Sequence, residues 1–269
     1  MARTVTQIDT GNSNVFLVWG TEGRILVDAG NPGKTDRILA RLAKCGVAPD
    51  DVRLILITHG HVDHFGSAAA LRERTGAPVA IHALDAGAVR QGIHQPDSLH
   101  PTSWLIDLVM RMSLPLFPDR APAFEPDIVF EDEFRLDEYG VAGRVTQTPG
   151  HTPGSVSVLL DSGEAIVGDL VMGQLMGLIH KPGPPIVAWD LERNRESVRQ
   201  LAALSPRVVY VGHGGPFNDL SGLTKRYKAD WPTNLTFGRR LTRIHADLPW
   251  KLTKSAFICV LFSVSGVKC

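Results

Sequence analysis

Apolar runs and amphipathic stretches alternate along the first eighty residues. NVFLVWG (14 to 20) and RILVDAG (24 to 30) are apolar runs parted by Thr21, Glu22 and Gly23, which predicts two strands joined by a hairpin-like turn. TDRILARLAKCG (35 to 46) has helical spacing, with Ile38, Leu39, Leu42 and Ala43 on one face and Gly46 as a stop. DVRLILITH (51 to 59) is a continuous apolar run, the pattern of a buried strand. FGSAAALRERTG (65 to 76) predicts a helix ending in glycine, and PVAIH (78 to 82) a short strand. This alternation predicts a layered α/β core.

The rhythm breaks at residues 95 to 126, which are rich in proline and large apolar side chains. Within them SWLIDLVMRM predicts a short helix with few charges. It is read either as a connector packed on the core or as a cap or homodimer contact over a pocket. From 127 the strands return: DIVFEDEFRL, RVTQTPG, SVSVLLD and EAIVGDL alternate with Gly, Pro and Asp turns. LERNRESVRQLAAL (191 to 204) predicts an amphipathic helix with Asp190 as N-cap, and PRVVYVGHGG (206 to 215) a last buried strand ending in a histidine. The expected organisation is one domain over 1–238, with a cap insertion at 95–126, and a C-terminal segment at 239–269. The apolar SAFICVLFSVSGV in that segment is either a final packed element or a free tail.

Composition narrows the function classes. Lys plus Arg equals Asp plus Glu, 28 each, so charge gives no reason to expect a nucleic-acid partner. Cys45, Cys259 and Cys269 are odd in number and widely spaced, which fits neither a disulfide framework nor a CxxC metal site. MARTVTQIDTGNSN lacks the apolar core of a signal peptide, and no apolar run reaches the roughly 18 residues of a membrane span. The expectation is a cytoplasmic protein in a reducing compartment, with no membrane span.

The chemistry concentrates in THGHVDH (58 to 64), which packs three histidines and an aspartate behind the apolar LILI. If the segment is extended, His59 and His61 lie on one side and can share a cation. If the chain turns at Asp63, Asp63 and His64 can face a second. Imidazole and carboxylate together suit Zn²⁺, and also Fe or Mn. Two cations need about seven or eight ligand contacts. Three later residues sit at strand ends beside glycine or a turn: His151 in TPGHTPGS, Asp169 in AIVGDL and His213 in VVYVGHGG. Taken with the first cluster, they supply the missing ligands.

VDAG (27 to 30), THGHVDH, PGHTPGS (149 to 155), GD (168 to 169) and GHGG (212 to 215), in this order, closely resemble the metallo-β-lactamase fold superfamily. The resemblance implies an αββα sandwich of two mixed β-sheets with outer helices and metals at one edge. It implies that His59, His61 and His151 hold one metal and that Asp63, His64 and His213 hold the other, with Asp169 bridging. Asp28 would support the site from behind. The implied enzyme is a binuclear zinc-dependent hydrolase, two Zn²⁺ per chain. It would use a metal-bridging hydroxide, with Asp63 orienting it, to cleave a small ester, thioester or lactone. The alternatives are a β-lactam hydrolase and a mononuclear-iron, persulfide dioxygenase-like oxidoreductase. Asp169 resembles the bridging residue of thioesterase-like and lactonase-like members. The chain has DHFGS where glyoxalase II and many lactonases continue as DHxGG, and DLVMGQLMG carries no Tyr after the bridging Asp. Trp104, Leu105, Met110 and Met112, with Met172, Leu175 and Met176, are read either as core or as an acyl-chain pocket. His180 is read as a solvated loop residue or a hydrogen-bond donor to a small-molecule substrate.

Overall fold

An apolar strand must be covered on both faces, and the computed structural model, which describes residues 4–113, 118–174 and 179–229, shows what covers them. One sheet holds β1 (Val5–Asp9), β2 (Asn14–Trp19), β3 (Arg24–Val27), β4 (Val52–Leu56), β5 (Val79–His82) and β6 (Ile128–Phe130), in that order. The first three strands pair antiparallel and the remaining pairings are parallel, so the sheet is mixed. The second sheet runs β13 (Val208–Tyr210), β10 (Glu164–Ile166), β9 (Val156–Leu160), β8 (Gly143–Gln147), β7 (Phe134–Arg135). It too is mixed, with β10 and β13 parallel and the others antiparallel.

Side chains alternate across each strand, so one apolar strand feeds two cores. In β2, Val15 and Leu17 face a cluster that includes Ile38 and Leu42 of helix α1 (Thr35–Lys44). The same cluster takes Val62 and Phe65 of α2 (Val62–Phe65), Leu71 of α3 (Ala68–Thr75) and Val89 of α4 (Ala83–Gln91). Phe16 and Val18 face the other way, between the sheets, against Val145, Val156, Val158 and Ile166. A third cluster covers the far face of the second sheet: Leu159, Ala165 and Val209 pack with Val198 and Leu201 of α6 (Leu191–Ala203). The layers are therefore helix, sheet, sheet, helix, the expected αββα sandwich. Truncating a fully buried residue such as Leu17 costs about 2–5 kcal/mol.

The predicted cap of α6 is present: Asp190 Oδ1 accepts from the backbone N–H of Glu192 and Arg193, at 2.9 and 3.0 Å. Among the described residues, elements not expected from the pattern include β1, α4, the hairpin of β11 (Met172–Gln174) and β12 (Ile179–Gly183), and α7 (Ser221–Ala229). Helix α4 starts directly after β5, where His82 Nδ1 accepts from Leu84 N–H as its cap. Strand β12, IHKPG, carries proline and glycine, which hide a strand from propensity.

In the 95–126 segment, α5 (Trp104–Ser113) forms as expected, with Trp104, Leu105 and Leu108 exposed. It is tied down by Thr102 N–H to the carbonyl of Ile186 and by a bridge between Pro101 and Val187. Met172 is buried and His180 exposed. The side chains of Met110 and Met112, and residues Leu175, Met176 and 239–269, lie outside the described part. No helix among the described residues is long and apolar enough to cross a membrane.

Candidate metal centre

Strands β3, β4, β8, β10 and β13 each lead into the same edge of the sandwich, and their following loops carry the chemistry. Asp28 follows β3; Thr58 to His64 follow β4; His151 follows β8; Asp169 follows β10; His213 follows β13. All seven residues expected as ligands meet there. His151 Nε2 lies 3.2 Å from His59 Nε2 and 3.0 Å from His61 Nδ1. His213 Nε2 lies 3.4 Å from His64 Nε2 and 3.3 Å from Asp63 Oδ2. Asp169 lies between the two groups: its Oδ2 is 3.6 Å from His151 Nε2 and 3.3 Å from His213 Nε2, and its Oδ1 is 3.5 Å from His64 Nε2. Nitrogens each about 2.0–2.1 Å from one tetrahedral zinc stand about 3.3 Å apart, so these separations fit shared cations.

One local expectation is corrected. His59 and His61 do not converge by alternation along an extended strand. The segment is bent, with His61 N–H donating to His59 O at 3.0 Å, and a short turn across Gly60 brings the rings together. Asp63 and His64 then point inward from the single-turn helix α2.

The outward nitrogen of every imidazole is committed, and the partners fix each tautomer. His151 Nδ1 donates to the carbonyl of Val187 and His213 Nδ1 to that of Asn12, both at 2.8 Å. His64 Nδ1 donates to Asp28 Oδ2 at 2.8 Å. Ser98 Oγ donates to Gln95 O, so it accepts from His61 Nε2 at 2.8 Å. Thr58 Oγ1 donates to Asp28, so it accepts from His59 Nδ1 at 3.0 Å. In the neutral rings all five N–H groups point away and all five lone pairs point into one space. That is the orientation metal-ligating histidines need.

Two more features fit a cation. Asp169 Oδ1 is buried and has no hydrogen-bond donor, a costly state for a carboxylate oxygen. A Cβ on Gly212 would come within 2.1 Å of that oxygen and 2.6 Å of His64 Cε1, so only glycine lets the β13 loop pass the site. Side-chain groups that could hold an ion are His59–His61–His151, His59–His64–Asp169 and Asp63–His64–His213. His61 and Asp63 also group with His94, whose Nδ1 accepts from Val62 N–H at 3.3 Å. Motif reading missed Asn12, Ser98 and His94, which hold the site from loops without a spacing of their own, and Asp85 of α4, which accepts from Gly60 N–H at 2.7 Å.

The two halves differ electrostatically. Burial pushes His59, His61 and His151 below the usual histidine range, so these rings are neutral and ready to bind. Burial also works against charge on His64 and His213, but the carboxylates of Asp169, Asp28 and Asp63 outweigh it at His64. Asp169 and Asp63 do the same at His213, which is raised to about 10. Near neutral pH a cation entering beside Asp63, His64 and His213 must displace a proton, whereas one entering the three-histidine half displaces none. If each half takes a cation, titration of the metal-free protein with zinc in weak buffer with a pH indicator is expected to release fewer protons from the three-histidine half than from the other. Equal release at both would contradict this division. The sign of the linkage is also fixed. The stabilisation from His213 is complete below about pH 6.5 and is lost as pH rises through about 10 in the metal-free protein.

The comparisons with known proteins agree with this geometry. The sequence profile of the metallo-beta-lactamase superfamily matches residues 8–213. A probable metallo-hydrolase, YflN of Bacillus subtilis, is 32% identical over 222 residues, covering 75% of this chain and 81% of the relative. The hydroxyacylglutathione hydrolase GloC of Haemophilus influenzae is 26% identical, covering 75% of this chain and 85% of the relative. Among solved structures, the metallo-beta-lactamase family protein TTHA1429 of Thermus thermophilus aligns with a TM-score of 0.60 at 24% identity, over 84% of this chain and 80% of that one, a likeness of fold. The chain belongs to the metallo-beta-lactamase superfamily.

Proposed function

We propose that this protein is a binuclear zinc hydrolase acting on a small ester, thioester or lactone. The observation that carries the reading is the set of five inward imidazole lone pairs around Asp169. His59, His61 and His151 would hold one ion, Asp63, His64 and His213 the other, with Asp169 shared. Two bound ions would supply a Lewis acid for the scissile carbonyl and lower the pKa of a water toward neutrality.

The chain's own contribution is placement. Asp63 is the most accessible of the seven groups, with 19% of its side chain exposed. Its Oδ2 accepts from Asn12 Nδ2 at 3.2 Å, and Ser13 Oγ donates to its backbone carbonyl at 2.5 Å. Burial raises this carboxyl, but His64 and His213 outweigh that and hold it well below the usual range. It therefore stays ionised and orients the attacking water by accepting a hydrogen bond. Leu99 follows the Ser98 that holds His61, and the backbone N–H of Trp189 donates to His151 O; both residues are partly exposed, at 38% and 39%. The activity of the GloC relative points to the same reaction class.

The test is a panel of lactones, thioesters, nitrocefin and phosphodiesters, run on zinc-loaded protein with a chelator-treated control. Turnover of an ester, thioester or lactone that chelation removes is expected. Preference for nitrocefin would instead favour a β-lactam hydrolase. One iron per chain with sulfur-oxidising activity would favour the dioxygenase type.

A further inference from the structure

Asp85 is a fully buried carboxylate in the first turn of α4 that belongs to none of the ligand groups above. Both of its oxygens are in use. Oδ2 accepts from Gly60 N–H at 2.7 Å and from Thr152 Oγ1–H at 2.6 Å, and Oδ1 accepts from Gly154 N–H at 2.8 Å. Gly60 lies between His59 and His61, and Thr152 follows His151. One carboxylate thus ties together two loops whose histidines are 92 residues apart in sequence.

The contact is close enough to dictate sequence. A Cβ on Gly154 would fall 2.6 Å from Asp85 Oδ1, and one on Gly60 would fall 2.9 Å from the Cβ of Ala88, one turn further along α4. Both loops are pressed onto the helix at separations open only to glycine. A fully buried carboxylate is costly unless each oxygen is hydrogen-bonded, and here each is. In the other half, Asp28 stands behind His64 and Asn12 behind Asp63 and His213, while Asp28 also reaches His59 through Thr58; Asp85 touches the loops of the three-histidine half alone.

We propose that Asp85 is a positioning residue that sets the spacing of the His59, His61 and His151 nitrogens, and so controls the cation affinity of that half of the centre alone. The inference rests on the two-ion reading above. In Asp85→Asn an amide NH₂ replaces one oxygen and faces a backbone N–H, so one loop is released with little change in shape. Thr152→Val removes, at equal volume, the bond to Asp85 and the 2.8 Å bond to Ser155 Oγ within the same loop, so Ser155→Ala is the control for the second.

The test titrates zinc into wild type and both variants against a competing chelator. It also follows the Gly60 and Gly154 amide resonances and the thermal unfolding of the metal-free proteins. The relevant equivalent is the one that His61→Ala removes. It is expected to weaken on the order of 10–100-fold in Asp85→Asn, and by less in Thr152→Val, with the other equivalent unchanged and both glycine resonances displaced. If Asp85→Asn does not fold, Thr152→Val carries the comparison. Equal weakening of both equivalents, or unmoved affinities and glycine resonances, would overturn the proposal. Fewer than two equivalents in wild type would contradict the two-ion reading separately, while the glycine resonances would still decide on Asp85.

Discussion

Turnover in Asp169→Ala and in His61→Ala is expected to fall on the order of 10³-fold or more, about 4 kcal/mol of barrier, with the fold intact. Asp169 touches both halves of the site, with Oδ2 at 3.3 Å from His213 Nε2 and 3.6 Å from His151 Nε2. On the two-ion reading, its loss would take one contact from each ion and one of the two carboxylate charges, with Asp63, that face the site. Burial raises the Asp169 carboxyl, yet His213 and His64 overcome that and hold it well below the usual range, so the charge is present at neutral pH. His61 supplies one of three nitrogens in its half and has no substitute there, since His94 is turned toward Val62 N–H and Pro118. Neither residue belongs to the three apolar clusters, so near-UV circular dichroism and cooperative unfolding should persist. Zinc content per chain and kcat/KM check the result. Either variant keeping turnover within tenfold of wild type would show that the chemistry lies elsewhere.

Asp28→Asn is expected to lose activity on the order of 10²-fold or more through a tautomer rather than through a ligand. Asp28 has a left-handed backbone, φ 64°, which asparagine tolerates better than most residues, so the variant isolates charge and hydrogen bonding. In the wild type, Oδ1 accepts from Thr58 N–H at 2.8 Å and Oδ2 from His64 Nδ1–H at 2.8 Å. Asparagine has one acceptor oxygen for these two demands. With that oxygen kept on Thr58, its NH₂ faces His64 Nδ1 and selects the ring form with the proton on Nε2, the atom that must bind metal. The zinc equivalent beside Asp63 and His213 should weaken, and stability should fall by about 1–3 kcal/mol for the disturbed buried bonds. Nitrogen-15 shifts of the His64 ring report the tautomer directly. An unchanged tautomer with unchanged affinity would contradict this role for Asp28.

The seven inward groups were legible because each stands at the end of an apolar strand in a short, unusual cluster of residue types. The sandwich was legible for a related reason. Runs such as VFLVW (15 to 19) are apolar at every position, which fits only burial on both faces, and the structure divides Val15 and Leu17 from Phe16 and Val18 accordingly. The supporting residues were hidden. Ser98 holds His61 from an irregular loop, Asn12 holds Asp63 and His213 from a turn, and Asp85 reaches both histidine loops from a helix. Each acts through contacts distant in sequence, and no periodicity marks such contacts. The bend at Gly60 was hidden too, because a continuous apolar run does not show where a strand stops.

The direct measurement is a count and location of bound metal on purified, zinc-loaded protein, by elemental analysis and anomalous X-ray scattering. Two zinc ions per chain are expected, one among His59, His61 and His151 and one among Asp63, His64 and His213, with Asp169 between them. A single ion, none, or anomalous peaks away from these side chains would contradict the account.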